Sequence, residues 1–158
     1  MITEYKTKYK AQVIDLFVEL QQFIADLDEE EYNILTKGFG KKYYEETLAE
    51  IKDKNGIMML YVEEDEVLGL IVGIINNEEI DEYDFRAPKR GRVSELIVSE
   101  KARGKDIGSK LLKEMEHWFR IHNCSDVLIE VFAYNKRGIN FYKKKGYHSR
   151  VVEMTKKI

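Results

Sequence analysis

Very little in this chain cross-links or interrupts it. There is one cysteine, Cys124, so no disulfide can close within the chain, and a lone thiol fits a reducing compartment. There is one proline, Pro88, and no serine- or glycine-rich run, internal repeat or low-complexity tract, so nothing marks a linker or a domain boundary. The longest apolar run, Val67–Ile75, falls far short of the roughly 20 residues that span a bilayer. The first residues, Met1 to Lys6, lack the apolar core of a secretion signal. His117, His122 and His148 show no metal-ligand spacing with Cys124 or with one another. Positive charge is not in excess: the formal net charge is −3, which argues against a general nucleic-acid binder. These absences predict one cytoplasmic domain over residues 1–158, with no membrane, nucleic-acid or metal partner.

What is present suits a folded domain. The 158 residues are 44% hydrophobic, enough for a sizeable core, and tyrosine, with ten copies, dominates the aromatics. Ile2–Lys6 alternates like a strand. Residues 8–27 carry Val13, Phe17, Leu20, Ile24 and Leu27 at helical spacing, and 41–53 carry Tyr44, Leu48 and Ile51 on one stripe. Asn55-Gly56 is a turn signal. Strands are expected at Ile57–Glu63 and Val67–Asn76, the second apolar enough to be covered on both faces. Residues 77–92 are polar and read as a long connection or a frayed hairpin extension. A strand at Val93–Val98, a helix at 104–121, a strand at Val127–Phe132, a short basic helix at 136–145 and a last strand at Tyr147–Lys157 complete the chain. The order β-α-α-β-β-β-α-β-α-β predicts an α/β (strictly α+β) fold. Its mixed, mostly antiparallel sheet would be flanked by helices, with a right-handed parallel crossover from 93 to 132.

The most informative stretch runs from Val93 to Leu112. A strand enters a glycine-containing turn that opens a helix. The first helical N–H groups have no backbone partner and the helix dipole makes that end positive. Gly104 and Gly108 remove Cβ atoms where a ligand would approach the backbone, and Lys101, Arg103, Lys105 and Lys110 add positive charge. That is an anion site in outline. Taken alone, the same residues equally describe an ordinary strand–turn–helix with glycine as breaker. Neither a P-loop nor a dinucleotide fingerprint is present.

Two motifs carry a resemblance. Arg103-Gly104-Lys105-Asp106-Ile107-Gly108 resembles the Arg/Gln-x-x-Gly-x-Gly/Ala signature of the GNAT superfamily of N-acetyltransferases. Asn135 to Tyr147, reading Asn-Lys-Arg-Gly-Ile-Asn-Phe-Tyr-Lys-Lys-Lys-Gly-Tyr, resembles that superfamily's Asn-x-x-Ala/Ser-x-x-Phe-Tyr-x-Lys-x-Gly-Phe/Tyr ending. Ile139–Lys144 looks like the matching piece of the diamine and polyamine acetyltransferases. The order of elements over the whole chain fits as well.

The resemblance implies acetyl-CoA as acyl donor and a primary amine, most simply a small cationic one, as acceptor. It implies that the backbone of Leu96, Ile97 and Val98 pairs with the pantetheine arm. The turn Arg103–Ser109 (Arg103, Gly104, Lys105, Asp106, Ile107, Gly108 and Ser109) would hold the pyrophosphate, Asn135 would touch the cofactor, and Tyr142 would sit near the sulfur. Many members dimerise, which makes a homodimer one implied state. One departure stands out: Asp106 occupies the place of the signature's middle glycine, where a carboxylate would repel a pyrophosphate unless it points to solvent.

An amine must be neutral to attack a thioester, so a base is needed. Glu95, just before the expected carbonyl-binding residues, is the first candidate and Glu130 the second. Tyr142 is the candidate donor to the leaving thiolate. Plain alternation places Glu95 with Val93 and Ile97 on one face, and a bulge would change that. Asp26 to Glu31, with Glu78, Glu79, Asp81, Glu82 and Asp84, would draw a cationic amine if they line one mouth, and are otherwise solvated loops. Tyr32, Phe39, Tyr43 and Tyr83 could line the cleft. A protein or peptide N-acetyltransferase, and a non-catalytic acyl-CoA-binding module, remain alternative functions.

Overall fold

The structure is a computed structural model that describes residues 1–76 and 88–158. Its elements, in order, are β1 (Ile2–Glu4), α1 (Lys10–Leu27), α2 (Phe39–Asp53), β2 (Ile57–Glu63), β3 (Glu66–Asn76), β4 (Arg90–Val98), α3 (Ile107–Ile121), β5 (Asp126–Ile129) and α4 (Lys136–Lys144), with single 3-10 turns at Thr7–Tyr9 and Glu100–Ala102. The five strands lie in sequence order, β1-β2-β3-β4-β5. All neighbours are antiparallel except β4 and β5, whose parallel pairing needs the α3 crossover. The mixed, mostly antiparallel sheet is therefore as expected.

The period-2 pattern of β2 and β3 divides the core between two faces. Met58, Leu60, Val62, Leu70 and Val72 join Val13, Leu16 and Phe17 of α1 and Tyr44 of α2. Met59, Tyr61 and Ile71 join Ile107, Leu111, Leu112, Met115 and Phe119 of α3. Because both faces are covered, β3 is buried from Val67 to Ile75 and reads as one apolar run. The helices stand on the 3.6-residue stripes seen in the sequence, their apolar faces turned to the sheet.

Several boundaries differ from expectation. Strand β4 starts at Arg90, three residues early, because its first residues find partners on both sides: Asn76 to Gly73 of β3, and Asp126 to Ile129 of β5. Strand β5 stops at Ile129, short of Phe132, where the chain turns and Phe132 stacks on Tyr134 at 5.1 Å between ring centroids. Helix α3 starts at Ile107, since Asp106 takes a left-handed φ of 60° that no helix can include. The expected last strand, Tyr147–Lys157, does not form. Residues 147–158 have no regular structure, and Val151, Val152 and Met154 are exposed. β-propensity without a partner strand leaves backbone groups to water, so the segment gains nothing from extending. The connection read at 77–92 lies outside the described residues from 77 to 87, with its acids Glu78, Glu79, Asp81, Glu82 and Asp84 and with Tyr83.

Where β4 passes under α3, its backbone lies against an aromatic ring. A Cβ on Gly91 would stand 2.3 Å from ring atoms of Phe119, which is itself only 1% exposed and cannot swing away. Gly91→Ala is expected to lower stability by about 1–3 kcal/mol, the usual cost of overpacking a filled core. Urea melts of the two proteins check this.

Candidate active site

The site begins with one extra residue in β4. Glu95 pairs with Val72 and Val93 with Gly73, so Ser94 has no partner on β3 and forms a bulge. The consequence reverses part of the alternation expected for this strand. Val93 packs with α3, while Ile97 packs with α1 and α2. Glu95 shares the face of Ile97, where it meets Tyr43 of α2. Glu95 and Ile97 thus stay together as expected, and Val93 does not join them. The Ser94 hydroxyl is buried with no hydrogen-bond partner among the described residues.

The bulge also marks where β4 and β5 part. Their pairing ends at Val93 with Ile129. Beyond it, no strand among the described residues pairs with Leu96 to Val98 on the side away from β3, which leaves a gap in the pairing along that edge. Such a gap can take an extended ligand that pairs with a sheet edge.

Glu95 is the most perturbed carboxyl of the site. Burial raises it from 4.5 to about 7, the Tyr43 hydrogen bond opposes the rise, the Glu50 charge adds to it and Arg92 lowers it. The Tyr43 hydroxyl donates to Oε1 in a short bond. Tyr142, on α4, is raised to about 12 by burial and then by the Glu95 charge. Its ring packs edge-on against Phe141 and Tyr147, at 5.1 and 5.7 Å between centroids. The Tyr147 hydroxyl is tied 2.8 Å from Glu116 Oε1, which locks α4 onto α3. The structure therefore brings the two residues predicted as catalytic, Glu95 and Tyr142, into one electrostatic neighbourhood. Glu130 stands in a different setting: its side chain is 72% exposed and pairs with Arg92 at 3.2 Å.

The turn after β4 is held from below. Glu19 of α1 accepts from the Glu100 amide at 2.6 Å and from the Ser99 hydroxyl at 3.3 Å, and sits 3.9 Å from Arg103. Arg103 lies over Phe23, 5.2 Å from the ring centroid, and 3.8 Å from Glu100. Its guanidinium is thus turned back onto α1 and serves to anchor the turn. Above it, Gly104 (φ +82°) and Asp106 (φ +60°) both take the left-handed conformation. The backbone amides of 104 to 109 find no acceptor among the described residues, and Lys110 is the first to bond back, to the Asp106 carbonyl at 3.1 Å. The space a Cβ would take on Gly104 is open to beyond 4 Å. Unpaired amides therefore stand at the head of a 15-residue helix, the kind of backbone arrangement that suits an anion. Lys105 and Asp106 are exposed on its rim, and the Asp106 side chain makes no capping bond. Gly108 faces Val98 and Phe141 at 3.5 and 3.6 Å from its virtual Cβ, which sets the helix start beside the gap. Asn135 caps α4 through Oδ1, accepting from the Gly138 amide at 2.9 Å.

Two acids of α2 were not singled out by sequence: Glu50, whose charge acts on Glu95, and Glu46, whose charge acts on Tyr43. With Tyr43, Thr47, Ala49 and Asp53 they line an open groove of about 520 Å³ along α2. Their i, i+4 spacing was visible, but only the bulge reveals that this side of α2 faces Glu95. Of the acids from Asp26 to Glu31, Asp26, Glu29, Glu30 and Glu31 are exposed and Asp28 is turned inward. Asp28 is buried and accepts from the amides of Glu30 and Asn33 and from the Asn33 side chain, which hold its carboxyl below the usual range. Phe39 and Tyr43 meet at the groove and Tyr32 stands exposed.

The chain thus combines a mixed sheet whose two parallel strands part at a bulge with a helix start whose first amides are unpaired among the described residues. The chain matches the acetyltransferase (GNAT) family over residues 21–147, and it belongs to that family. An uncharacterised N-acetyltransferase of Methanocaldococcus jannaschii is 38% identical over 61 residues, which are 38% of this chain and 39% of that protein. The matched part thus spans about two fifths of that curated relative. A mutant of a Bacillus halodurans protein has a TM-score of 0.82 at 16% identity, covering 100% of this chain and 99% of the other. The aminoglycoside 6'-N-acetyltransferase of Acinetobacter haemolyticus has a TM-score of 0.73 at 14% identity over 100% and 99% of the two chains. The glucosamine-6-phosphate N-acetyltransferase of Arabidopsis thaliana has 0.65 at 17% identity, over 99% and 97%. At these identities the structural likenesses establish the fold.

The raised carboxyl links pH to stability. Between its unfolded value near 4.5 and its folded value of about 7, Glu95 binds its proton more tightly in the fold than in the unfolded chain. Stability is therefore lost as pH rises through that window. Glu95→Gln removes the effect, so the variant should gain about 1–3 kcal/mol on the parent between pH 4.5 and pH 8. Denaturant melts at the two pH values measure the gain; equal differences at both would show that burial does not raise Glu95.

Proposed function

We propose that the protein transfers an acetyl group from acetyl-CoA directly to a primary amine, with Glu95 as base. The observation that carries the proposal is the Glu95 carboxyl, half-buried just after the bulge, hydrogen-bonded by Tyr43 and raised to about 7. An alkylammonium is charged at neutral pH and has to lose a proton before attack. A carboxylate with a pKa near the working pH is well matched to remove it. Several features support the cofactor's position. The free amides of 104 to 109 suit a pyrophosphate, and the open edge of Leu96–Val98 suits the amides of a pantetheine arm. Backbone N–H groups on that edge would also face the oxygen on which charge develops.

Tyr142 donates to the departing sulfur. With its pKa held at about 12 it stays protonated, well above an ordinary thiol near 8.5, so it stabilises a thiolate by a hydrogen bond rather than by full proton transfer. Proton uptake by Glu95 removes one of the two causes of that raised value. The two groups are thereby coupled: the base becomes neutral as the phenol is asked to share its proton. No covalent enzyme intermediate is needed.

The acceptor in this reading is a small cationic amine. Glu46, Glu50 and Asp53 along the groove support it, since a wall of one sign raises the local concentration of the opposite charge. Thiol release from acetyl-CoA, measured with a panel of amines, tests the activity. Turnover confined to amines that carry a second positive charge fits the groove, and no turnover with any amine leaves a binding module. Glu95→Gln should lower kcat/KM by about 100-fold or more around pH 7–8, the usual worth of a general base. A normal rate across pH 6–9 would remove Glu95 from the role.

Asp106 weakens the anion site in this reading. It combines a left-handed φ with a carboxylate at the rim. Asp106→Gly relieves both, so acetyl-CoA is expected to bind several-fold more tightly by calorimetry, about 1 kcal/mol.

A further inference from the structure

We infer that Tyr43 is the positioning residue for Glu95: helix α2, through this one phenol, sets both the direction and the protonation of the carboxylate. The inference rests on the reading of Glu95 as base.

The geometry leaves Tyr43 little freedom. Phe39, one turn earlier on α2, stacks on its ring at 5.0 Å and 18° between planes. Phe17 of α1, 1% exposed, meets it edge-on at 5.1 Å and 83°. Its carbonyl accepts from Thr47 Oγ1 at 2.8 Å. Clamped between two phenylalanines, the ring carries its hydroxyl to Glu95 Oε1. The phenol remains protonated, because burial and then the Glu95 charge push its ionisation above the ordinary tyrosine range. It is therefore a donor throughout the working range of pH.

The bond has two effects on Glu95. It occupies Oε1, while Oε2 accepts no hydrogen bond among the described residues, so one oxygen is fixed and the other is left to take a proton. It also favours the charged form against the desolvation that raises it. The charged and titratable groups facing Glu95 are Tyr43 and Glu50 from α2, Arg92 from β4 and Tyr142 from α4. Glu46 acts on Tyr43 in turn. Of these, only Tyr43 and Arg92 favour the carboxylate, and Arg92 is already paired with Glu130. Removing the phenol hydroxyl while keeping the ring should therefore move the base, not the fold.

The test is Tyr43→Phe, read in two ways. A carbon-13 NMR titration of the Glu95 carboxyl in the whole protein should show its midpoint raised by about one pH unit, the worth of one hydrogen bond to a charged group. The acidic limb of kcat/KM against pH should move up by the same amount, and Tyr43→Phe should add no shift in the Glu95→Gln background. Fluorotyrosine at position 43, a stronger donor, should move the midpoint the other way, and it serves if the phenylalanine variant does not fold. An unmoved midpoint in folded protein overturns the inference. A midpoint that moves while the rate profile stays in place upholds the Tyr43 contact and overturns Glu95 as the base.

Discussion

One unpaired residue, Ser94, organises the functional half of this protein. A strand between two helical layers normally gives alternate side chains to each. The extra residue shifts that alternation after Val93, so Glu95 crosses from the α3 layer to the α2 layer while Val93 stays behind. Pairing with β5 ends at the same point. A carboxyl that would otherwise have had to be excluded from the α3 core comes to lie under α2, against a phenol. The Ser94 hydroxyl left buried without a partner is part of the cost of this arrangement.

The electrostatics of the site follow from that placement. Burial disfavours the carboxylate, the Tyr43 hydroxyl favours it, the Glu50 charge disfavours it again and Arg92 favours it. The outcome, near neutrality, is a balance of opposing effects rather than the property of any one neighbour. Such a balance suits a group that must both take up and release a proton, and it is also costly to fold. The turn after β4 is built differently: its amides from 104 to 109 have no acceptor among the described residues, and its position is fixed by Glu19 and Arg103 below it. Two of the lysines around it are engaged elsewhere: Lys101 pairs with Glu66, and Lys110 lies over Tyr61.

The two motifs differed in what they disclosed. The turn at Arg103–Ser109 was legible because backbone requirements write themselves locally: glycine at a left-handed φ, a helix start, a preceding strand. Even there, the role of Arg103 was not legible, since its partners Glu19 and Phe23 come from a helix some 80 residues earlier in the chain. Asn135 reads as a ligand residue by resemblance and is seen as the cap of α4. The expected last strand failed because strand formation depends on a partner, and propensity over Tyr147–Lys157 could not supply one.

The sequence by itself determined the class of fold, the two-faced strand β3, the helix stripes and the place of the glycine turn before α3. Each of these depends on residues near one another in the chain and on the periods 2 and 3.6. Tertiary structure alone decided which face Glu95 takes, that Tyr43 holds it, that Glu50 rather than the loop acids lies beside it, and that Glu130 stays in water. Those outcomes turn on the strand register between β3 and β4. A shift of one residue exchanges the faces of a strand, and nothing within the strand's own residues reports where that shift occurs.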